Sequence, residues 1–385
     1  MLKVLFISQW YPHRYDSMFG LFVQKHAEAV SLFCQVKVLY VFADENITDF
    51  EIVENKTGNF SELLIYFPFK KDRIFYRFFK IINYLKAYWI GIRQIKLENF
   101  EPDIIHANIL TRTALIAYLI NLWKGTPYII TEHWTRYLPE KKAFNGYFHK
   151  IATKFIVKNA KAILPVSSML KNAMLSYKLF NPTYRVVDNV IDPAFFKTYK
   201  LTPRLKKRII LVSCFLEVAK NVSGIIRAIS ELTKLRTDFE LIIVGDGPDY
   251  QQIINYSDDL HLTNTFIKFM GEKKSEEVAE WIYNSDFFIL FSNYETAGIV
   301  ITESLALGKP VITTRVGIAE DYITENNGII IDVQDEKALV NKMNFMLDNF
   351  QLYDSNKFQT ELKHKFSYQT IGNQITDIYK NILGI

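Results

Sequence analysis

The chain has 385 residues, 49% hydrophobic and 23% charged, with a formal charge of +5 and a pI near 8.8. That length is too great for one ordinary core and predicts two domains. The mild basic excess lacks the clustering of a nucleic-acid binder; it suits contact with anionic membrane surfaces or phosphorylated substrates.

Cys34 and Cys214 are the only cysteines. They lie far apart in apolar runs, which predicts reduced core residues of a cytosolic protein and argues against a disulfide or a metal pair. The apolar run at the N-terminus is too short for a secretory signal, and a polar turn follows it. No stretch is apolar for long enough to span a bilayer, and the longest, residues 81–92, carries Lys86. The expected location is the cytoplasm, at or near the inner face of its membrane.

In chain order, residues 3–8 predict a strand, 20–32 a helix and 35–41 the next strand. Short apolar runs at 104–105, 128–131 and 162–166 repeat the theme, with helical spacing at 111–123 and 148–159. This alternation predicts a parallel sheet covered on both faces. Residues 183–193, followed by a polar, Lys-rich stretch to Lys207, read as a connection between domains. The pattern then restarts, with strands expected at 208–213, 240–244, 265–269, 287–291, 311–314 and 329–331. The fold class expected is α/β, two doubly wound domains facing each other, with the ligand in the cleft at the carboxyl ends of the strands.

The most informative segment follows the run at 287–291. Ser292, Asn293, Tyr294 and Glu295 form a polar loop, residues 297–307 have helical spacing, and Gly308 with Pro310 supplies a stop signal. Glu295 is therefore expected in a strand-to-helix loop, and Glu303 about two turns further on. The amides of Thr296, Ala297 and Gly298, as donors at a helix N-terminus, suit a diphosphate. Glu303 suits a ribose diol. Glu295 suits sugar hydroxyls, or positive charge developing at an anomeric carbon. Two Glu at this spacing would by themselves read as solvated side chains of a surface helix.

The longer string from Ser292 to Val311 resembles the nucleotide-sugar motif of the family 4 retaining glycosyltransferases (glycosyl transferases group 1), which have the GT-B fold of two facing Rossmann-like domains. Glu295 and Glu303 match the family's pair, of which the first contacts the donor sugar and the second the ribose. Thr296 stands where the family often has Gly. The resemblance spans nearly the whole chain. Ile7-Ser-Gln-Trp-Tyr-Pro followed by Gly20 looks like the family's N-terminal strand and glycine loop, where Gly20 would let the backbone approach the donor phosphate. Pro102-Asp-Ile-Ile-His106, Thr131-Glu-His133 and Val166-Ser-Ser168 look like three of its strand ends, and His133 would face the donor sugar. Residues 187–192 resemble the segment leading into the second domain, and Val244-Gly245-Asp-Gly247-Pro248 resembles a turn lining the base pocket. Lys220 matches a diphosphate-binding Lys. The Arg that usually precedes it is missing from Ser213, Cys214, Phe215 and Leu216, so the diphosphate would rest on Lys220 and backbone amides.

The resemblance implies domains at 1–190 (acceptor side) and 191–365 (nucleotide-sugar binding), with the helix of residues 366–385 packing back on the first. It implies retaining transfer of a hexose-type sugar from a nucleoside diphosphate sugar to a glycan or lipid-linked acceptor, in cell-surface polysaccharide synthesis. His133, Glu295 and Lys220 would be catalytic, with leaving-group stabilisation from Lys220, Gly20 and the helix N-terminus. Gly20, Glu303, Thr296, Ala297, Gly298 and Gly245 would bind substrate. His106 reads equally as structural or functional, and His26 as structural or close to the acceptor. No Asp-x-Asp and no His/Cys cluster occurs, so no metal or other cofactor is expected. A nucleotide-sugar epimerase and a non-catalytic sugar-nucleotide binder are the alternatives. Residues 70–96 hold eight basic residues and one acid, Asp72, interleaved with aromatics. They read as an ordinary helix with a solvated basic face or as a peripheral contact with anionic lipid.

Overall fold

The strand β1 (Lys3–Ser8) is buried from Val4 through Ser8 with no alternation, the mark of a strand covered on both faces. The computed structural model describes residues 1–70, 76–110, 112–213 and 217–385. The expectations placed on Lys71, Asp72, Arg73, Phe75, Thr111, Cys214, Phe215 and Leu216 lie outside them.

The chain divides into two compact units. The first comprises Met1–Val166, Lys171–Val190 and Tyr368–Ile385, and the second Ser167–Leu170 and Ile191–Ser367. In the first, β1 leads through α1 (Leu21–Ser31) to β2 (Gln35–Asp44), β3 (Glu51–Thr57) and β4 (Phe60–Pro68). Then come α2 (Tyr76–Leu97), β5 (Ile104–Asn108), α3 (Arg112–Lys124), β6 (Tyr128–Glu132), α4 (Tyr147–Asn159), β7 (Ile163–Pro165) and α5 (Ser168–Ser176), of which only the residues from Lys171 on belong to this unit. Among the described residues these strands form one sheet in the order β3-β4-β2-β1-β5-β6-β7.

The sheet corrects the expectation of purely parallel pairing. β3 runs antiparallel to β4, joined to it by a turn at Gly58 and Asn59 with Gly58 at φ 58°. A glycine in the first place of a two-residue hairpin turn is the usual solution there. All seven residues of β3 are exposed. An edge strand with no buried face leaves no hydrophobic alternation to read.

The second unit contains β8 (Lys207–Val212), α6 (Glu217–Lys220), α7 (Val222–Thr233), β9 (Phe239–Val244), α8 (Tyr250–Asp259), β10 (Ile267–Phe269), α9 (Ser275–Tyr283) and β11 (Phe287–Leu290). It continues with α10 (Val300–Ala306), β12 (Val311–Thr314), α11 (Ala319–Tyr322), β13 (Gly328–Ile331), α12 (Glu336–Asn349) and α13 (Ser355–Lys365). Its strands lie in the order β10-β9-β8-β11-β12-β13, and every pair is parallel. Each of the six expected strands of this half is present. Among the described residues, one cluster of buried apolar side chains, including Val4, Phe6 and Ile104, belongs to the first unit, and another, including Ile209, Leu211 and Phe287, to the second.

The last helix, α14 (Tyr368–Leu383), supplies Ile371, Ile375, Ile378 and Tyr379 to the core of the first unit. It packs on α1 at Gly372, where a Cβ would lie 2.1 Å from the carbonyl oxygen of Ala29. Backbone cannot yield as a side chain can, so the two helices would have to part. Gly372→Ala should therefore cost about 1–3 kcal/mol of stability. An unchanged denaturation midpoint for the first unit would contradict this contact.

Candidate active site

In the second unit the strand order reverses between β8 and β11, so the connections leaving these two strands diverge. The crevice at their carboxyl ends is where a doubly wound sheet receives its ligand. The chain leaving β11 is fixed there by three bonds. Thr314 Oγ1 donates to the Ser292 carbonyl (2.6 Å), the Asn293 amide donates to the Ala219 carbonyl (2.7 Å), and Asn293 Nδ2 donates to the Val218 carbonyl (3.0 Å). The last two tie the loop to α6, which ends in Lys220. Glu295 is thereby brought beside Lys220. The ammonium donates to Oε1 at 2.5 Å, and Ser292 Oγ donates to the same oxygen at 2.9 Å. The two side chains are 17% and 12% exposed. A charge pair this far from water keeps most of its Coulomb attraction, and the hydroxyl offsets part of the desolvation.

The helix after this loop starts later than its sequence suggests. α10 begins at Val300 and has seven residues, so Thr296, Ala297 and Gly298 belong to the loop and Glu303 to the first helical turn. Gly298 sits at φ 72°, a left-handed conformation that ends any helix running through it. The expected donors at a helix N-terminus are therefore loop amides. Among the described residues, no acceptor pairs with the amides of Thr296, Ala297 and Gly298. The loop is held from behind. The Thr296 carbonyl accepts from Ser167 Oγ (2.6 Å), itself part of this unit, and the Ala297 carbonyl accepts from the Ile318 amide (2.8 Å). Gly317, which sequence reasoning missed, makes that approach possible, because a Cβ there would lie 2.2 Å from the Ala297 oxygen. Its only signal was a lone glycine shortly after a strand.

Glu303 is buried on α10. Gly245 follows β9 at φ 137°, and a Cβ there would lie 1.8 Å from the Ser213 oxygen, so the turn requires glycine whatever binds beside it. The helix after this turn, α8, starts at Tyr250.

In the first unit the order reverses between β1 and β5. Gly20 precedes α1 at φ 68°, and a Cβ there would lie 2.4 Å from the Trp10 carbonyl carbon. This close packing alone demands glycine. The Trp10 ring lies against Trp134 (5.5 Å) and Phe22 (6.3 Å), and Phe22 lies against His133 (4.4 Å). Gly20 and His133 thus share one aromatic cluster. His133 is 5% exposed, and its Nε2 has no hydrogen-bond partner among the described residues. Gln9 Oε1 is likewise unpartnered, and it lines a cavity of about 420 Å3 with Trp10, Arg112, Trp134, Arg136 and His149.

His106 is committed to the fold. Nδ1 pairs with the Tyr379 hydroxyl (2.5 Å) and Nε2 with Thr131 Oγ1 (2.6 Å), which leaves neither nitrogen for a ligand. His26 is buried, and its Nε2 donates to the Asp188 carbonyl (3.0 Å). Glu132 was not foreseen as important. It is wholly buried and accepts from the amides of Leu110 (2.7 Å), His133 and Trp134 (both 2.8 Å). It thereby ties the end of β6 to the turn after β5, where Ile109 holds φ 73°. A β-branched residue in that region is strained, and such strain gathers at functional sites. Burial pushes the Glu132 carboxyl up to about 7. Among the described residues, no group of three or more His, Cys, Asp or Glu could hold a metal ion, and no helix is long and apolar enough to cross a membrane.

Two doubly wound units, each with polar groups at its switch point, make up the GT-B architecture. Residues 39–195 match the model described as Glycosyltransferase Family 4, and residues 196–366 match that of Glycosyl transferases group 1. The chain belongs to the group 1, family 4 glycosyltransferases. It is 28% identical to an uncharacterised glycosyltransferase of Methanocaldococcus jannaschii, over 79% of this chain and 82% of that one. It is 26% identical to the N-acetyl-alpha-D-glucosaminyl L-malate synthase of Bacillus anthracis, over 73% and 75%. Anabaena HepE, solved in complex with UDP, superposes with a TM-score of 0.76 at 17% identity, over 99% of this chain and 100% of that one.

The three buried histidines make the first unit sensitive to acid. Burial pushes His26 down to about 4 and holds His106 and His133 well below the usual 6.5. The unfolded chain therefore binds protons that the native imidazoles refuse, so stability is lost as pH falls from about 6.5 toward 4. Glu132 opposes this, because its native carboxyl takes up a proton that the unfolded chain has released over 4.5 to 7. Three imidazoles outweigh one carboxyl. The denaturation midpoint should fall on acidification through that window, and His26→Gln should flatten the fall. A pH-independent midpoint would contradict the burial of neutral imidazoles.

Proposed function

We propose that the protein transfers a hexose-type sugar, with retention of configuration, from a nucleoside diphosphate sugar to a hydroxyl of a glycan or lipid-linked acceptor in cell-surface polysaccharide synthesis. The observation that carries this reading is the Lys220–Glu295 pair beside three unpartnered amides at the β8/β11 switch point. A diphosphate suits Lys220 and the amides of Thr296, Ala297 and Gly298, and its negative charge would draw the ammonium away from Glu295. Glu295, released, would accept from sugar hydroxyls and face the charge that develops at the anomeric carbon. Glu303 would bind the ribose, Gly245 would line the base site, and Gly20 would let the backbone come close to the phosphates. The unpartnered His133 Nε2 suits a donor-sugar hydroxyl. In a retaining transfer the departing phosphate oxygen takes the proton of the attacking acceptor hydroxyl on the same face of the sugar, so no metal is required. Uridine is the first base to test, since HepE was solved with UDP.

The acceptor would be received in the first unit. The cavity beside Trp10 and Trp134, with the Arg136 guanidinium 4.0 Å over the Trp134 ring, suits a sugar ring stacked on indole. A peripheral contact of residues 70–96 with the inner face of the cytoplasmic membrane belongs to the same proposal.

Turnover in the presence of a chelator, with UDP-, ADP- and GDP-sugars and candidate acceptors, tests the reading. The expected product keeps the anomeric configuration of the donor by NMR. Lys220→Ala should lower kcat/KM by about 10²–10³, the scale for losing one charge-stabilising donor. A product of inverted configuration, or full activity in Lys220→Ala, would refute the assignment.

A further inference from the structure

β4 crosses to β5 through α2, β5 reaches β6 through α3, and β6 reaches β7 through α4, each stepping in the same direction along the sheet. Right-handed crossovers place these three helices on one face of the first unit's sheet. Their contacts agree. α2 and α3 line one apolar groove that includes Tyr88, Trp89, Leu119 and Trp123, and Tyr118 of α3 meets Phe155 of α4 with ring centroids 5.3 Å apart. α1 and α14 pack together elsewhere in the same unit.

The outer surface of this layer has an unusual composition. α2, α3 and α4 have 22, 13 and 13 residues, and none is Asp or Glu. They hold five, two and three Lys or Arg. Large apolar side chains stand outward on all three, among them Ile81, Trp89, Leu122, Trp123 at 68% exposure, Phe148 at 85% and Ile151. Soluble proteins seldom expose apolar surface this continuous without a partner. The bases lie among the rings: Arg93 sits 5.5 Å from the Trp89 ring and Lys124 5.2 Å from the Trp123 ring. Indole rings flanked by cations belong at the headgroup level of a bilayer, where the ring enters the interface and the charge meets phosphate. A protein partner would not demand the complete absence of acids over three separate helices. An anionic surface would, because each acid would repel it.

We propose that the outer face of α2, α3 and α4 is one docking surface for an anionic lipid bilayer. This widens the contact offered for residues 70–96 to a three-helix layer, and it stands whether or not the sugar-transfer reading holds. The layer lies flat, so binding needs no spanning helix. Attraction to charged headgroups brings the protein to the membrane, and Trp123 and Phe148, on different helices, anchor it.

The test is co-sedimentation of the full chain with vesicles of phosphatidylcholine alone and of equal parts phosphatidylcholine and phosphatidylglycerol, with circular dichroism confirming the fold of every variant. Binding should be at least about tenfold stronger to the anionic vesicles and should weaken as salt is added. Trp123→Asp with Phe148→Asp should lower it at least about fivefold, and so should Arg93→Glu with Lys124→Glu. Equal affinity for both vesicles, or full binding by either double variant, would overturn the proposal. So would self-association in the absence of lipid that Trp123→Asp with Phe148→Asp abolishes, because the face would then be covered by a second copy. Donor binding by the same variants should stay at the wild-type level, which separates failure here from failure of the proposed activity.

Discussion

The crevice between β8 and β11 depends on a cation held against a carboxylate across 75 residues of sequence. Lys220 ends a four-residue helix after β8, and Glu295 lies in the loop after β11. The two meet because β8 and β11 are neighbours at the point where the strand order reverses. Hydrogen bonds from the Asn293 amide and side chain to α6 hold the loop at that height. Gly317 and Gly298 allow the loop its course, one by close approach and the other by its left-handed turn. In this structure the cation and the carboxylate are engaged to each other. In the proposed reading, an incoming diphosphate would compete with the carboxylate for that cation.

The first unit is organised differently. Its polar groups at the switch point are buried and mostly neutral: three imidazoles held below their usual pKa and one carboxyl pushed up. Glu132 accepts three amide bonds and stitches β6 to the strained turn at Ile109. Two of the histidines are spent on the fold, one on the Asp188 carbonyl and one on Tyr379 and Thr131. His26 Nδ1 and His133 Nε2 both lack a hydrogen-bond partner among the described residues, and His133 lies against Phe22 of the aromatic cluster. Neutral imidazoles suit hydrogen bonding to sugar hydroxyls better than they suit charge stabilisation.

Much of this was legible in the sequence. Three strands of the second unit, β9, β11 and β12, are fully buried runs bounded by turns, and such runs announce themselves. The edge strand β3 did not, because none of its residues has an inward face. The start of α10 was misplaced by three residues because apolar spacing continues back through Ala297, while the conformation of Gly298 breaks the helix. The family resemblance assigned Lys220 and Glu295 separate roles in one site, but their contact was not foreseen, since no local pattern joins residues so far apart. Gly20 and Gly245 were read for their ligands, yet each is required by its own backbone neighbours. The basic, aromatic character of α2 was visible, but its continuation over α3 and α4 was not. Short helices with ordinary apolar spacing look like core until the outward side chains are placed.

Calorimetric titration of the wild type, Lys220→Ala and Glu295→Ala with a nucleoside diphosphate and with the corresponding nucleotide sugar tests the division of labour directly. Lys220→Ala should weaken both ligands by about tenfold or more, since a charge-assisted bond of about 1.4 kcal/mol or more is lost. Glu295→Ala should weaken the nucleotide sugar and leave the bare diphosphate bound as well as before, or more tightly, because the ammonium no longer has to leave a partner. If Glu295→Ala instead weakens the bare diphosphate as much as Lys220→Ala does, or if neither substitution weakens either ligand, the pair is a structural clamp and the donor lies elsewhere.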